Sequence, residues 1–310
     1  MSYDLFFRAR RKPVPSSDDL RAYFAKQRHF QVNAREDGGW QAFYENQATG
    51  VYFSFESHVA VDPEAPASEP LSLPVAYNMN YFRPHTFGLE AEPVVSDFVR
   101  DFDLLVDDPQ GEGMGEGEYS PEGFLRGWNA GNAFGYRAIV EMRAREEADI
   151  QFDALPAAAR EAEWRWNYGK EEYTEILCEH EFLCGFVPTV FLMKLNGIER
   201  VTTAVVWGEA IPIALPSVEL IIVPGEPLRS LWLRDLAVDL AHRFPTRDAD
   251  HEVDVRGRGH RLGFAHIMVD YGSGSAPPDL LRRIEELAQP FPSKPTRLSP
   301  DQVLTSELLP

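Results

Sequence analysis

Two runs rich in β-branched and aromatic residues flank the dipeptide Asn196-Gly197, and this pattern constrains the fold more than any other in the chain. The runs read VPTVFLMKL and IERVTTAVVW. Asn-Gly is the favoured centre of a type I′ turn, whose twist matches that of two antiparallel strands. The sequence therefore predicts a β-hairpin at this point. A hairpin with two apolar strands needs further strands and a covering layer to be stable.

The first third of the chain predicts a second antiparallel sheet. Strand-like runs at 30–35, 40–46 and 51–59 are joined by Asp37-Gly38-Gly39 and by Ala48-Thr49-Gly50, which are turn residues by type. In VYFSFESHV, at 51–59, alternate side chains are apolar, as in a half-buried strand. Short apolar runs at 3–8 and 75–82 add two more strands.

Apolar residues at spacings of three and four predict helices between these strands. The expected helices cover 16–30, 90–105, 122–147, 228–244 and 278–287. Pro93 is best tolerated in a first turn, so the second of these helices is expected to begin at Glu90. The pattern predicts an α+β fold with two domains, each a mainly antiparallel sheet with packed helices.

The charged and then alanine-rich stretch 143–160 is the predicted domain boundary, and one long helical connection is the alternative. Residues 1–150 form an N-terminal α+β domain that carries an acidic helix and loop. Residues 151–290 form a C-terminal α+β domain that contains the Asn-Gly hairpin. Residues 291–310 form a proline-rich tail, predicted to be either an extended strap or disordered.

Composition narrows the class of protein. With 310 residues and 44% hydrophobic content, the chain can build full cores. No apolar run approaches the roughly 18 residues of a membrane span. The opening MSYDLFFRARRKP places its bases after its apolar residues, unlike a signal peptide. Two cysteines, Cys178 and Cys184, are too few for a disulfide framework. We therefore expect a cytoplasmic protein without a membrane anchor.

The most acidic part of the chain runs from Glu90 to Glu122, where eleven acids face one base, Arg100, for a local charge of about −10. Such a segment repels nucleic acid and membrane surfaces and attracts a basic protein. Its loop GEGMGEG is expected to be flexible and anionic. The predicted partner contacts are Asp97, Asp101, Asp107, Asp108, Glu112, Glu116 and Glu118.

Catalytic and metal-binding motifs are incomplete. Cys178-x-His180-x3-Cys184 offers three soft ligands for zinc, but the spacing is not that of a standard finger and no second pair follows. The competing interpretation is two buried cysteines beside a solvated histidine. His180 and His251 each begin an HExxH pattern without its second histidine, and no G-x-S-x-G elbow exists. The sequence favours a binding protein without a cofactor over an enzyme.

Several segments of the first 140 residues carry a resemblance to known proteins. They are Met1-Ser2-Tyr3-Asp4-Leu5-Phe6, Ala48-Thr49-Gly50-Val51-Tyr52-Phe53, Asn80-Tyr81-Phe82-Arg83-Pro84, Phe87-Gly88-Leu89-Glu90 and Val106-Asp107-Asp108-Pro109-Gln110. This set resembles bacterial proteins of the immunity type, from contact-dependent and polymorphic toxin systems. The resemblance implies a protein partner and no catalytic residue.

The leading hypothesis is therefore an immunity protein that occludes a toxin with its acidic surface. Two alternatives belong to other classes: a metal-assisted hydrolase that uses Cys178, His180 and Cys184 or the aspartates, and a structural subunit of a bacterial assembly.

Overall fold

A computed structural model describes residues 1–57, 72–145, 152–180, 186–195, 200–248, 252–255, 258–261, 265–272, 274–291 and 295–309. The chain divides into two compact units. Unit 1 comprises residues 1–152 with 300–310, and unit 2 comprises residues 153–299. Helices and mainly antiparallel sheets occur in both units, so the predicted α+β class is confirmed.

Unit 1 contains one seven-stranded sheet, in the order β2-β3-β4-β5-β1-β6-β7, and three helices. All neighbouring strands in this sheet are antiparallel. The strands are β1 (Ser2–Ala9), β2 (Phe30–Ala34), β3 (Trp40–Asn46), β4 (Val51–Ser57), β5 (Ser72–Asn80), β6 (Leu104–Asp107) and β7 (Glu116–Gly117). The helices are α1 (Ser17–Phe24), α2 (Thr86–Asp101) and α3 (Pro121–Arg145).

The three helices of unit 1 pack on one face of the sheet. Alternate residues of β1 are buried, as the strand period requires. Their rings meet one aromatic residue from α2 and one from α3: the centroids of Phe7 and Phe98 are 5.0 Å apart, and those of Tyr3 and Phe124 are 5.1 Å apart. Phe24 of α1 reaches Phe55 of β4 at 4.5 Å. This aromatic layer is the core of unit 1.

Helix α2 begins four residues before the predicted start, and Pro93 lies inside it. A proline within a helix removes one backbone hydrogen bond and costs about 3 kcal/mol. The preceding turn compensates because it is buried: Phe87 is fully buried and its ring packs 5.5 Å from that of Tyr52. The prediction from Pro93 was wrong because tertiary burial outweighs the local preference.

Helix α1 begins as predicted and ends early. Ser16 caps it, and Asp19 completes a capping box. The helix ends at Phe24 instead of residue 30, because Phe30 begins β2.

Unit 2 contains a six-stranded sheet, in the order β18-β13-β12-β10-β9-β19, and a three-stranded sheet, β11-β17-β14. Strands β15 and β16 form a separate antiparallel pair. The strands are β8 (Ala154–Leu155), β9 (Phe191–Leu195), β10 (Arg200–Val206), β11 (Ile213–Pro216), β12 (Leu220–Val223), β13 (Arg229–Trp232), β14 (Thr246–Arg247), β15 (Glu252–Val255), β16 (Arg258–Arg261), β17 (His266–Val269), β18 (Gln289–Pro290) and β19 (Thr296–Leu298). The helices are α4 (Ala157–His180), α5 (Leu233–Arg243) and α6 (Pro278–Leu287).

The predicted hairpin is present as the antiparallel pair β9 and β10, with Leu195 opposite Arg200. Asn196 and Gly197 themselves lie outside the described residues. Helix α5 starts at Leu233, later than predicted, because the residues before it form β13 and pair with β12. Trp166, Tyr173, Val205 and Leu236 belong to the core of this unit.

The last residues of the chain are ordered where the structure describes them. They form a 3₁₀ turn at Pro300–Gln302, the strand β20 (Leu304–Thr305) and a second 3₁₀ turn at Ser306–Leu308. Within unit 1, the Nδ1 atom of His85 lies 2.7 Å from Oγ1 of Thr305, and Val303 is fully buried. These residues of the tail therefore form short 3₁₀ and β elements within unit 1.

Candidate partner-binding site

The predicted contact residues divide into ion-paired, buried and unpaired carboxylates. Asp97 and Asp101 lie one turn apart near the end of α2 and share one base. The guanidinium of Arg100 lies 2.6 Å from the carboxylate of Asp97 and 3.1 Å from that of Asp101. Asp101 also accepts a hydrogen bond of 3.2 Å from the hydroxyl of Tyr23. Both carboxylates remain partly exposed.

Three arginines near the N-terminus, Arg8, Arg10 and Arg11, form ion pairs with the acidic segment, whose own sequence contains one base. Arg8 pairs with Glu116, and Arg10 pairs with Glu118 through both carboxylate oxygens. Arg10 also lies 3.1 Å from Asp103, and Arg11 lies 3.4 Å from the same carboxylate. The hydrogen bond from Arg10 is the main cause that lowers the pKa of Glu118 below its ordinary value.

Asp108 is 4% exposed and does not belong to the acidic surface. Its carboxylate accepts hydrogen bonds from the Tyr3 hydroxyl at 3.0 Å, the Gln110 amide at 3.0 Å and the Met114 amide at 2.9 Å. Burial, followed by the nearby charge of Asp108, raises the pKa of Tyr3 well above its ordinary value. The prediction of Asp108 as a partner contact is therefore corrected: this carboxylate organises the loop from within.

The glycine-rich loop, which the sequence predicts to be flexible, is hydrogen-bonded to α3 and to Asp108. Arg126 of α3 donates to the backbone oxygen of Glu112 at 3.0 Å and to that of Gly113 at 2.9 Å. A Cβ atom at position 113 would lie 2.6 Å from Cγ of Asp108 and closer still to Oδ2. Glycine at 113 thus lets the backbone approach the buried carboxylate.

Asp107 and Glu112 are exposed, and neither has an ion pair within the part of the chain that the structure describes. Asp107 lies opposite Glu116 in the register of β6 and β7, which places two carboxylates at this sheet edge. We define the acidic surface by its exposed members, which are Asp97, Asp101, Asp103, Asp107, Glu112, Glu116 and Glu118. Four guanidinium groups pair with the other five of these carboxylates, so the carboxylates of the surface exceed its guanidinium groups by three.

The excess of three on this surface and the sequence count of about −10 cover different residues, because the count also includes Glu90, Glu92, Asp108 and Glu122 and omits Arg8, Arg10 and Arg11. Glu90 is also removed from the surface: it is 1% exposed and accepts hydrogen bonds of 2.8 Å from Tyr44 and Asn46. Sequence reasoning did not find this buried acid. The available signal in the sequence was helical spacing: Glu90 lies three residues after Phe87 and directly before Ala91, and both of these residues are fully buried.

The alternative zinc site cannot be assembled from the described residues. Cys178 and His180 lie in the last turn of α4, but their side chains, and all of Cys184, lie outside what is described. Among described side chains, no group of three or more His, Cys, Asp or Glu residues is placed to hold a metal ion.

Unit 2 contains a cavity of about 790 Å³ beside the start of α4. Its wall includes Trp166, Val190, Val201 and several alanines. The charged groups around it pair with one another. Glu163, which is 2% exposed, lies 2.5 Å from Arg160, and Arg200 pairs with Glu219. The cavity therefore has a largely apolar wall, and the charged side chains named here form ion pairs with one another.

No helix in the described ranges has the length and apolar character needed to cross a bilayer. Comparison of the chain with known proteins finds no matching family model, no matching curated protein and no matching solved structure.

Proposed function

We propose that this protein binds a basic protein through its acidic surface and acts as an immunity protein that neutralises a bacterial toxin. One observation carries the proposal: the acidic surface keeps an excess of exposed carboxylates after its own arginines are paired. Asp107 and Glu112 supply the clearest part of that excess.

The surface is preorganised for binding. Arg126 and the buried Asp108 fix the loop that carries Glu112, so less conformational entropy is lost when a partner binds. The ion pairs with Arg8 and Arg10 orient Glu116 and Glu118 without burying them. An excess of negative charge accelerates encounter with a positive partner and opposes binding of nucleic acid.

The partner expected from this chemistry is a toxin whose active site is a basic cleft. Many active sites that handle nucleic acid are positively charged, because phosphate groups dominate that interaction. A row of carboxylates inserted into such a cleft would occupy the phosphate positions. Inhibition then follows from occlusion, and the immunity protein performs no reaction.

The test reverses charge at the two carboxylates without ion pairs. The variant Asp107→Lys with Glu112→Lys changes neither Arg8, Arg10 and Arg100 nor the carboxylates that pair with them. The control, Glu45→Lys with Glu141→Lys, makes the same change in net charge at exposed positions outside the acidic surface. The reading frames beside this gene supply the candidate toxins. Binding to each candidate is followed by stopped flow at several salt concentrations, and protection is scored in cells that express it.

The proposal predicts that the first variant associates about tenfold more slowly or worse, with a weaker dependence on salt, and fails to protect. The control keeps most of the rate and protects cells. Equal losses in both variants would assign the effect to net charge and not to this surface. Unchanged binding in the first variant would contradict the proposal.

A further inference from the structure

The outer edge of β2 is an unprotected end of the large sheet in unit 1. The five residues of β2, FQVNA, carry neither charge nor proline. The other ends of the two largest sheets in the described residues are shorter and contain a charge or a proline: β7 has Glu116, β18 has Pro290 and β19 has Arg297. Native proteins use short length, charge and proline to prevent edge pairing. Strand β2 is not very short and contains neither a charge nor a proline, so its edge can pair with a further strand.

The register of β2 shows which backbone groups face outward. His29 accepts from the Glu45 amide at 2.9 Å, and Arg35 donates to the Gly39 carbonyl at 2.9 Å. In an antiparallel ladder, every second residue bonds to the same neighbour. Gln31 and Asn33 therefore bond to β3, opposite Phe43 and Gln41.

It follows that Phe30, Val32 and Ala34 direct their N–H and C=O groups away from β3. In the described part of the chain no other strand pairs with this edge. These outward groups are donors and acceptors in alternation, the arrangement that a further antiparallel strand requires.

We propose that β2 pairs with β2 of a second copy of this chain, about a two-fold axis at Val32. In that register Phe30 faces Ala34 of the second copy, and Val32 faces Val32 of the second copy. These are the residues whose backbone groups point outward, so every outward N–H and C=O finds a partner. A register shifted by one residue would leave these groups unmatched.

The side chains agree with this register. Phe30, Val32 and Ala34 share the helix-covered face, where the Phe30 ring packs 5.0 Å from that of Phe24. The apolar side chains therefore meet apolar ones across the axis. On the other face, the exposed amides of Gln31 and Asn33 lie opposite each other.

Charge at the two ends of the strand is also complementary. Arg28 precedes β2 and Glu36 follows it, and both are exposed. The two-fold arrangement brings Arg28 of each copy to the end where Glu36 of the other lies. A foreign strand would have to reproduce both this charge order and the amide pairing. The structure therefore favours a second copy over another occupant. This inference goes beyond the proposed function and does not depend on the acidic surface.

The test uses the full chain and two exposed positions. Gln31→Lys with Asn33→Lys places like charges opposite each other across the axis. Gln31→Lys with Asn33→Glu places opposite charges there and serves as the matched control. Sedimentation equilibrium over a range of protein concentrations gives the dimer dissociation constant. Circular dichroism and the melting temperature confirm that each variant is folded.

The natural protein is expected to show a species of twice 35.1 kDa. The double-lysine variant should raise the dimer dissociation constant about 2- to 30-fold, whereas the lysine-glutamate variant should not raise it. Hydrogen exchange of the Phe30, Val32 and Ala34 amides should slow on dimerisation. A mass of 35.1 kDa at every concentration would overturn the proposal. So would a dimer unaffected by the lysines, because the interface would then lie elsewhere or the edge would serve another protein.

Discussion

Replacing Gly131 with alanine tests how tightly α3 is fixed to the sheet of unit 1. Gly131 belongs to a series on α3, Gly123, Gly127, Gly131 and Gly135, that recurs every four residues and therefore lies along one helix face. A Cβ atom at position 131 would lie 2.5 Å from the Tyr81 hydroxyl oxygen and closer still to two of its ring carbons. The ring cannot move aside freely, because it stacks on Trp128 at 5.5 Å and lies 5.9 Å from Tyr3.

The magnitude follows from two opposing effects. Alanine stabilises a helix interior by about 1 kcal/mol relative to glycine. Overpacking a tight core costs about 1–3 kcal/mol. Gly135→Ala separates the two effects, because it gains the same helix propensity on the same helix. There the new Cβ would lie 3.1 Å from the edge of Phe82, a partly exposed ring that can shift. The difference between the two variants should therefore be about 1–3 kcal/mol, with Gly131→Ala the less stable.

Hydrogen exchange measured by mass spectrometry at β1, β5 and α3 gives the free energy of opening of unit 1 alone. A fluorescence transition would mix the two units, because four of the six tryptophans lie in unit 2. A Tyr81→Leu background should reduce the penalty at position 131, because the obstructing ring is gone. Equal stability of the two alanine variants in the natural background would refute the packing argument.

Two further predictions concern the acidic segment. Asp108→Asn should destabilise unit 1 by about 1–3 kcal/mol and speed exchange in the loop 110–118, because the amide cannot accept all the hydrogen bonds that the carboxylate receives. In a carboxyl NMR titration, Glu118 should show a pKa below its ordinary value of 4.5, and Arg10→Ala should restore that value. Because the folded pKa is lowered, the ion pair stabilises the protein above pH 4.5 and this contribution is lost as pH falls through the folded pKa.

The local sequence pattern was sufficient to predict most strands of the sheet in unit 1 and the two hairpin strands of unit 2. Strands β3 and β4 follow from alternation and from the turn residues between them, which are short-range signals. The start of α2 could not be predicted from the local pattern, because it depends on a tertiary contact between Phe87 and Tyr52. The glycine series on α3 was visible in the sequence, but its meaning depends on rings from other elements.

The ion pairs of the acidic surface show more clearly why counting charges along one segment does not give the charge of a surface. Arg8 and Glu116 are 108 residues apart in sequence, yet they form an ion pair because β1 and β7 both flank β6. A charge count over the acidic segment includes Asp108 and Glu90, which the fold buries, and omits the arginines that the fold supplies. The surface that remains is small and specific, and its excess charge lies mainly at Asp107 and Glu112. Binding of the proposed basic partner should therefore depend on these two positions much more than on the other acids of the segment, which the charge-reversal experiment measures directly.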